Sequence, residues 1–230
     1  MTNFYFSVDD LAEIKKCIQK GHKSWKDECI SGLKSRIKEH LKERQNNFCC
    51  YCLRNMYGEF NYVIDIEHIL PKHRFSQYMF DLNNLAASCK RCNMKMKGRR
   101  LDFINDRFHE NQNPFESENY YFIHPNADAF VEHIDYYCVQ SGTNVLVSYS
   151  IKNNSSKGAY SIDFFQLERL ARNKNDIAQG IFADDEDAYD GNPDDDDIDD
   201  DVVNDSLVID YESAVNHLAL LFDQDGELKT

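Results

Sequence analysis

Two hundred and thirty residues suggest one large domain or two small ones. With 42% hydrophobic and 13% aromatic residues the chain is not wholly disordered, and no apolar run approaches the roughly 18 residues of a membrane span. The net charge of −14 is unevenly placed: Asp184 to Thr230 hold 18 acids and one Lys, a charge of −17, while residues 1–183 hold 22 acids and 25 Lys plus Arg, a charge of +3. The acidity therefore does not exclude a polyanionic partner for the body of the chain.

The first ten residues lack a basic stretch followed by an apolar one, so no signal peptide is expected and the cytoplasm is the expected compartment. Eight Cys in a reducing compartment are not expected to form a disulfide framework. Residues 7–20 predict a short helix, with Ser7 as its cap, Asp9 and Asp10 in its first turn, and Leu11, Ile14 and Ile18 as its apolar stripe. Residues 24–44 predict a longer one, because Trp25, Cys29, Leu33, Ile37 and Leu41 recur at near-fourfold spacing. Its other face, from Lys23 and Lys26 through Lys34, Arg36, Lys38 and Lys42 to Arg44, is basic. That face is either solvated or laid along a phosphate backbone.

Domain boundaries are expected at 1–47 for the helical N-terminal region, 48–110 for the motif-bearing core and 111–183 for a mixed α/β extension. Within the extension, 127–133 and 164–173 read as helices, and 144–150 and 159–163 as strands. Residues 184–210 read as an acidic, disordered linker, since 13 of the 22 positions from Asp184 to Asp205 are acidic and none is basic. That strip is either a plain linker or a nucleic-acid mimic that folds back over the basic stretch at 90–100. Residues 211–222 resume an amphipathic helical pattern, and 211–230 complete the chain.

The chemistry is concentrated between Cys49 and Arg100. Cys49 and Cys52 form one C-x-x-C pair, Cys89 and Cys92 a second, with 36 residues between them. Two such knuckles present four thiolates in a tetrahedron, which suits one structural Zn²⁺ per chain. Cys50 competes with Cys49, but the two-residue gap favours Cys49. Cys17, Cys29 and Cys138 lack such spacing and read as ordinary core cysteines. Between the knuckles, Ile64-Asp65-Ile66-Glu67 alternates like a strand, and Pro71 ends it, leaving Glu67 and His68 adjacent at the strand end. His22, His40, His109, His124, His133 and His217 have no comparable setting.

This order of motifs, Cys-x-x-Cys, Glu-His-x-x-Pro-Lys, then Asn-Leu-x-x-x-Cys-x-x-Cys-Asn, resembles the HNH endonuclease family. The resemblance implies an α+β chain: a ββα-metal HNH core with a four-cysteine zinc site, flanked by N-terminal helices and the C-terminal extension. It further implies that His68 is the general base, that Asn84 holds the loop and orients the His, and that Glu67 and Asn93 bind a catalytic metal. Glu67 is one methylene longer than the commoner Asp. The Lys that the family carries three residues after the last motif position is replaced by Met96, with Lys95 and Lys97 on either side.

The chemistry is consistent with that role. An imidazole with an ordinary pKa near 6.5 accepts a proton from water at neutral pH, and oxygen ligands favour Mg²⁺ or Mn²⁺. Lys72, Arg74, Lys90, Arg91, Lys95, Lys97, Arg99 and Arg100 are the expected phosphate contacts. The expected function is a DNA endonuclease; the alternative is a zinc-stabilised nucleic-acid-binding module without catalysis. The motifs are also similar to the HNH subunits of bacterial ATPase–nuclease antiviral systems such as Septu, which implies an ATPase partner and no membrane.

Overall fold

The structure is a computed structural model and describes residues 4–106, 108, 113–142 and 144–171. The acidic strip and the helix expected at 211–222 lie outside the described residues. The first helix, α1 (Val8–Lys20), forms as its sequence predicts. Ser7 Oγ accepts from the Asp10 amide at 3.1 Å, and Asp10 Oδ2 accepts from the Ser7 amide at 2.7 Å, so two otherwise unpaired donors are satisfied reciprocally. Gly21, at φ +83, ends it in a conformation that a side chain would strain.

The long helix expected at 24–44 is shorter than its periodicity suggests. Two 3₁₀ turns, His22–Lys26 and Glu28–Ile30, precede α2 (Ser31–Arg44), and the extended Asp27 (φ −61, ψ 136) separates them. The fourfold spacing of Trp25 and Cys29 therefore comes from stacked turns. Nor is the basic face of α2 simply solvated. Lys34 Nζ donates to the Trp25 carbonyl at 2.7 Å, and Lys38 Nζ to the Ile64 carbonyl at 2.6 Å. Arg44 donates to the carbonyls of Leu82 and Leu85. Lys38 and Arg44 satisfy backbone oxygens at the two ends of the sheet and Lys34 one in the first 3₁₀ turn, while Leu33, Ile37 and Leu41 face the core.

The central unit is an antiparallel pair, β1 (Ile64–His68) and β2 (Leu85–Cys89), in the register Asp65↔Ser88, Glu67↔Ala86 and His68↔Leu85. A turn with i→i+5 bonding, Arg91–Lys97, follows at once. This ββα arrangement is the expected core, but its helical part is a π turn. A short helix, α3 (Phe130–His133), leads into the hairpin β3 (Ile134–Ser141) and β4 (Asn144–Ile151).

The strand expected at 159–163 is instead part of α4 (Ser156–Phe164), whose cap Ser155 Oγ accepts from the Gly158 amide at 3.0 Å. A Cβ on Gly158 would sit 2.5 Å from the His133 carbonyl oxygen, so α4 packs this closely on α3 only through a glycine. The helix expected at 164–173 reduces to a 3₁₀ turn, Leu167–Leu170. Buried residues from both helices of the N-terminal region, from the ββα unit and from the extension form one hydrophobic core.

Candidate active site

The four knuckle cysteines converge. Their Sγ atoms all lie within 4.8 Å of one another, and all four residues are buried. Cys49, and not Cys50, takes part. Leu53, at φ +53, closes the first knuckle with its amide on the Cys49 carbonyl at 3.0 Å. The Cys89 amide points at Cys49 Sγ at 3.3 Å, as expected of a donor to a thiolate. Burial opposes ionisation of Cys49, yet the thiols around it hold its pKa well below the usual value. Cys49 in turn pushes Cys52 and Cys92 up. Four thiolates share so small a space only around a cation, so the donor set fits a thiophilic divalent ion.

His68, at the end of β1, is 6% exposed. Its Nε2 lies 3.1 Å from the Met79 carbonyl oxygen, which only accepts, so Nε2 carries the proton and Nδ1 the lone pair. Burial first, and then the charges of Lys72 and Lys97, push its pKa well down. The imidazole is neutral at pH 7. The Trp25 indole packs edge-on against it, with ring centroids 4.5 Å apart.

Asn84 binds the two ends of the loop between the strands. Its Oδ1 accepts from the Leu70 amide at 2.7 Å, and its Nδ2 donates to the carbonyls of Leu70 and Tyr78 at 3.1 and 3.0 Å. The loop that carries Met79 is thereby fixed against β1.

Glu67 is 1% exposed. Its Oε1 receives both the Tyr51 hydroxyl, at 3.0 Å, and the Lys97 ammonium, at 2.8 Å. Lys97 also donates to the His68 carbonyl at 2.9 Å. Burial raises the Glu67 pKa against the opposing pull of Lys97 and Tyr51. One turn back, Asn93 Nδ2 donates to Asp65 Oδ2 at 2.9 Å. Asp65 and Glu67 share a face of β1, since they are two residues apart. The contacts form two rungs, Asp65–Asn93 and Glu67–Lys97. Glu67 and Asn93 are thus on facing elements, but each is engaged by a different partner. Glu67 Oε2 and Asn93 Oδ1 are the oxygens these bonds leave over.

The π turn also accounts for the displaced lysine. Its extra residue, marked by the Gly98 amide bonding the Asn93 carbonyl at 2.8 Å, turns Lys97 inward and leaves Met96 in the core. Lys97, expected on the phosphate-binding surface, is 2% exposed. Arg91 is also spent internally, on the carbonyls of Phe165 and Gln166 at 2.9 and 3.0 Å. Lys90 faces Asp65 at 3.4 Å, and Arg100 pairs with Asp102 at 2.6 Å.

Lys95 and Arg99 are exposed, and Lys72 and Arg74 half-buried. Burial, then the neighbouring Arg99, His22, Arg74 and Lys72, push the pKa of His73 down to about 4. Trp25 reaches the site from outside the motif, and Tyr51, though inside the first knuckle, carries no spacing signal that ties it to Glu67. Asp65 was visible in the sequence only as part of the strand pattern.

Residues 49–99 match the family profile of the HNH endonucleases. The Septu protein PtuB of Bacillus thuringiensis is 30% identical over 136 residues, which is 59% of this chain and 42% of the relative. The chain thus aligns with less than half of that relative's length. No solved structure matches. Among the described residues no helix is long and apolar enough to cross a membrane.

Proposed function

We propose that this chain is a divalent-metal-dependent endonuclease that hydrolyses phosphodiester bonds of DNA in the cytoplasm. We further propose that it serves as the nuclease of a bacterial antiviral system with an ATPase partner, in keeping with its likeness to a Septu protein. The observation that carries the reading is His68: a neutral imidazole at a strand end, its Nε2 tied to a carbonyl and its Nδ1 lone pair left for a water proton.

Asn84 fixes the carbonyl-bearing loop, and so the ring plane. Trp25 covers one side of the ring and limits its rotation. Lys72, Arg74, Lys95 and Arg99 receive the phosphates. Glu67 Oε2 and Asn93 Oδ1 would hold Mg²⁺ or Mn²⁺, with Tyr51 and Lys97 fixing Glu67 through Oε1. When bound, that ion supplies Lewis-acid stabilisation of the charge gained by the phosphate. The four-cysteine cage would hold one structural Zn²⁺.

A second reading, a nucleic-acid-binding module without catalysis, draws on the Lys97 ammonium, which already compensates Glu67. Plasmid DNA and RNA incubated with protein and Mg²⁺ or Mn²⁺, with and without EDTA, separate the two. Cleavage of DNA that EDTA stops, and that His68→Ala lowers by about 10²–10⁴, is expected. Wild-type turnover by the variant would remove His68 from the chemistry, and binding without cleavage under every metal would favour the second reading.

A further inference from the structure

A second set of metal-ligating atoms lies outside residues 49–99. The Sγ atoms of Cys17 and Cys29 and a carboxylate oxygen of Asp27 all lie within 4.8 Å of one another. Cys17 is on α1 and 1% exposed, while Cys29 is exposed, so the group has a closed floor and an open side. Apolar packing explains a buried Cys17. It does not explain why a carboxylate and an exposed thiol converge on it.

Glu13 stands one helical turn before Cys17, on the same face of α1. Its carboxylate pairs with Lys16 at 2.6 Å. In sequence the four groups read Glu-x-x-x-Cys on the helix and Asp-x-Cys on the following turns.

We propose that Cys17, Asp27 and Cys29 form a second, thiolate–carboxylate site for a thiophilic divalent ion, Zn²⁺ in the first instance. Two thiolates and carboxylate oxygen are an accepted donor mixture for this ion. The lysines nearby do not argue against it. Lys20 pairs with Asp27 at 2.9 Å and Lys16 with Glu13 at 2.6 Å, but both ammonium groups are more than half exposed. Exposed pairs of this kind contribute little and yield to a metal bond. Once the ion is bound, the ligand set carries net negative charge, and Lys16, Lys20 and Lys34 surround it as counter-charge.

The site has a mechanical consequence. It fastens α1 to the far end of the connection that carries Trp25, the residue packed on His68. Its existence does not depend on the nuclease reading.

The chain's single tryptophan, Trp25, lies between the ligands and reports on them. Full-length protein would be purified under reductant, equilibrated with Zn²⁺ and desalted. Zinc per chain would then be measured for wild type, Cys29→Ser and Asp27→Asn, with Trp25 fluorescence followed during Zn²⁺ titration. Cys29 is exposed, so its substitution leaves the fold intact.

The expected result is one zinc fewer per chain in Cys29→Ser, whatever the occupancy of the four-cysteine cage. A saturable change in Trp25 emission should weaken by about tenfold or more in Asp27→Asn. Equal zinc content in wild type and Cys29→Ser would overturn the proposal. So would an unresponsive Trp25, or a Cys17–Cys29 disulfide, two mass units lighter, in the zinc-equilibrated protein.

Discussion

Glu67 and Lys97 are a fully buried ion pair, 1% and 2% exposed at the side chain. Such a pair adds little net stability, because desolvating both charges offsets their attraction, but breaking it leaves a bare charge in the core. Lys97→Met is therefore expected to lower unfolding free energy by about 3–5 kcal/mol in denaturant titrations, and adding Glu67→Gln should restore part of the loss. Additive single and double variants would show that the two groups are not coupled. His68, Asn84 and the four cysteines were legible in the sequence because each belongs to a short motif whose spacing carries meaning. Lys97 was not, because the motif was counted along a regular helix. Tyr51 and Trp25 were not, because their contacts with Glu67 and His68 are made across 16 and 43 residues of sequence.

At the scale of elements, β1 was legible and β2 was not. All five residues of β2 are buried, so Leu-Ala-Ala-Ser-Cys has no alternation to betray a strand, and its small side chains have low strand preference. The Ala-Tyr-Ser-Ile-Asp run alternates like a strand, yet the Ser155 cap and the close approach at Gly158 make it helix α4. The cage fastens β2 to the knuckle before β1, and Tyr149 of the hairpin donates to the Cys52 carbonyl at 2.6 Å. Changing both Cys52 and Cys92 to Ser should therefore unfold more than a loop. Metal binding in such sites is itself folding free energy, about 10–16 kcal/mol in zinc-finger peptides. Loss of the cooperative thermal transition is the expected readout, and a wild-type melting curve would show that the cage does not hold the fold.

At the scale of the whole molecule, His124 sets a limit on acid tolerance. It is 0% exposed, its Nδ1 accepts from the amides of Asn126 and Ala127, and its Nε2 has no partner. Burial pushes its pKa down to about 4. From about pH 6.5, the unfolded value, down to about 4, the unfolded chain takes up a proton that the native state refuses. The stabilisation is thus fully present above that window and lost as pH falls through it, to the extent of about 3 kcal/mol. His124→Asn keeps an acceptor and removes the titration, so its melting temperature should fall less steeply between pH 6.5 and 4. Parallel profiles would clear His124 of the effect.

The inward use of cations has a further consequence, for counterions. A protein that neutralises Z phosphates on DNA releases their condensed ions, and its affinity falls with salt at a logarithmic slope of about −0.9Z. Of the eight expected phosphate contacts, Lys97 is buried on a carboxylate, Arg91 grips carbonyls, and Lys90 and Arg100 face aspartates. With Lys97 and Arg91 turned inward, at most six of the eight reach phosphates, a slope of no more than about −5 where the sequence composition suggests about −7. A shallower slope means a grip on DNA that loses less as ionic strength rises, and retention at a target would rest the more on whatever else the assembly brings to it.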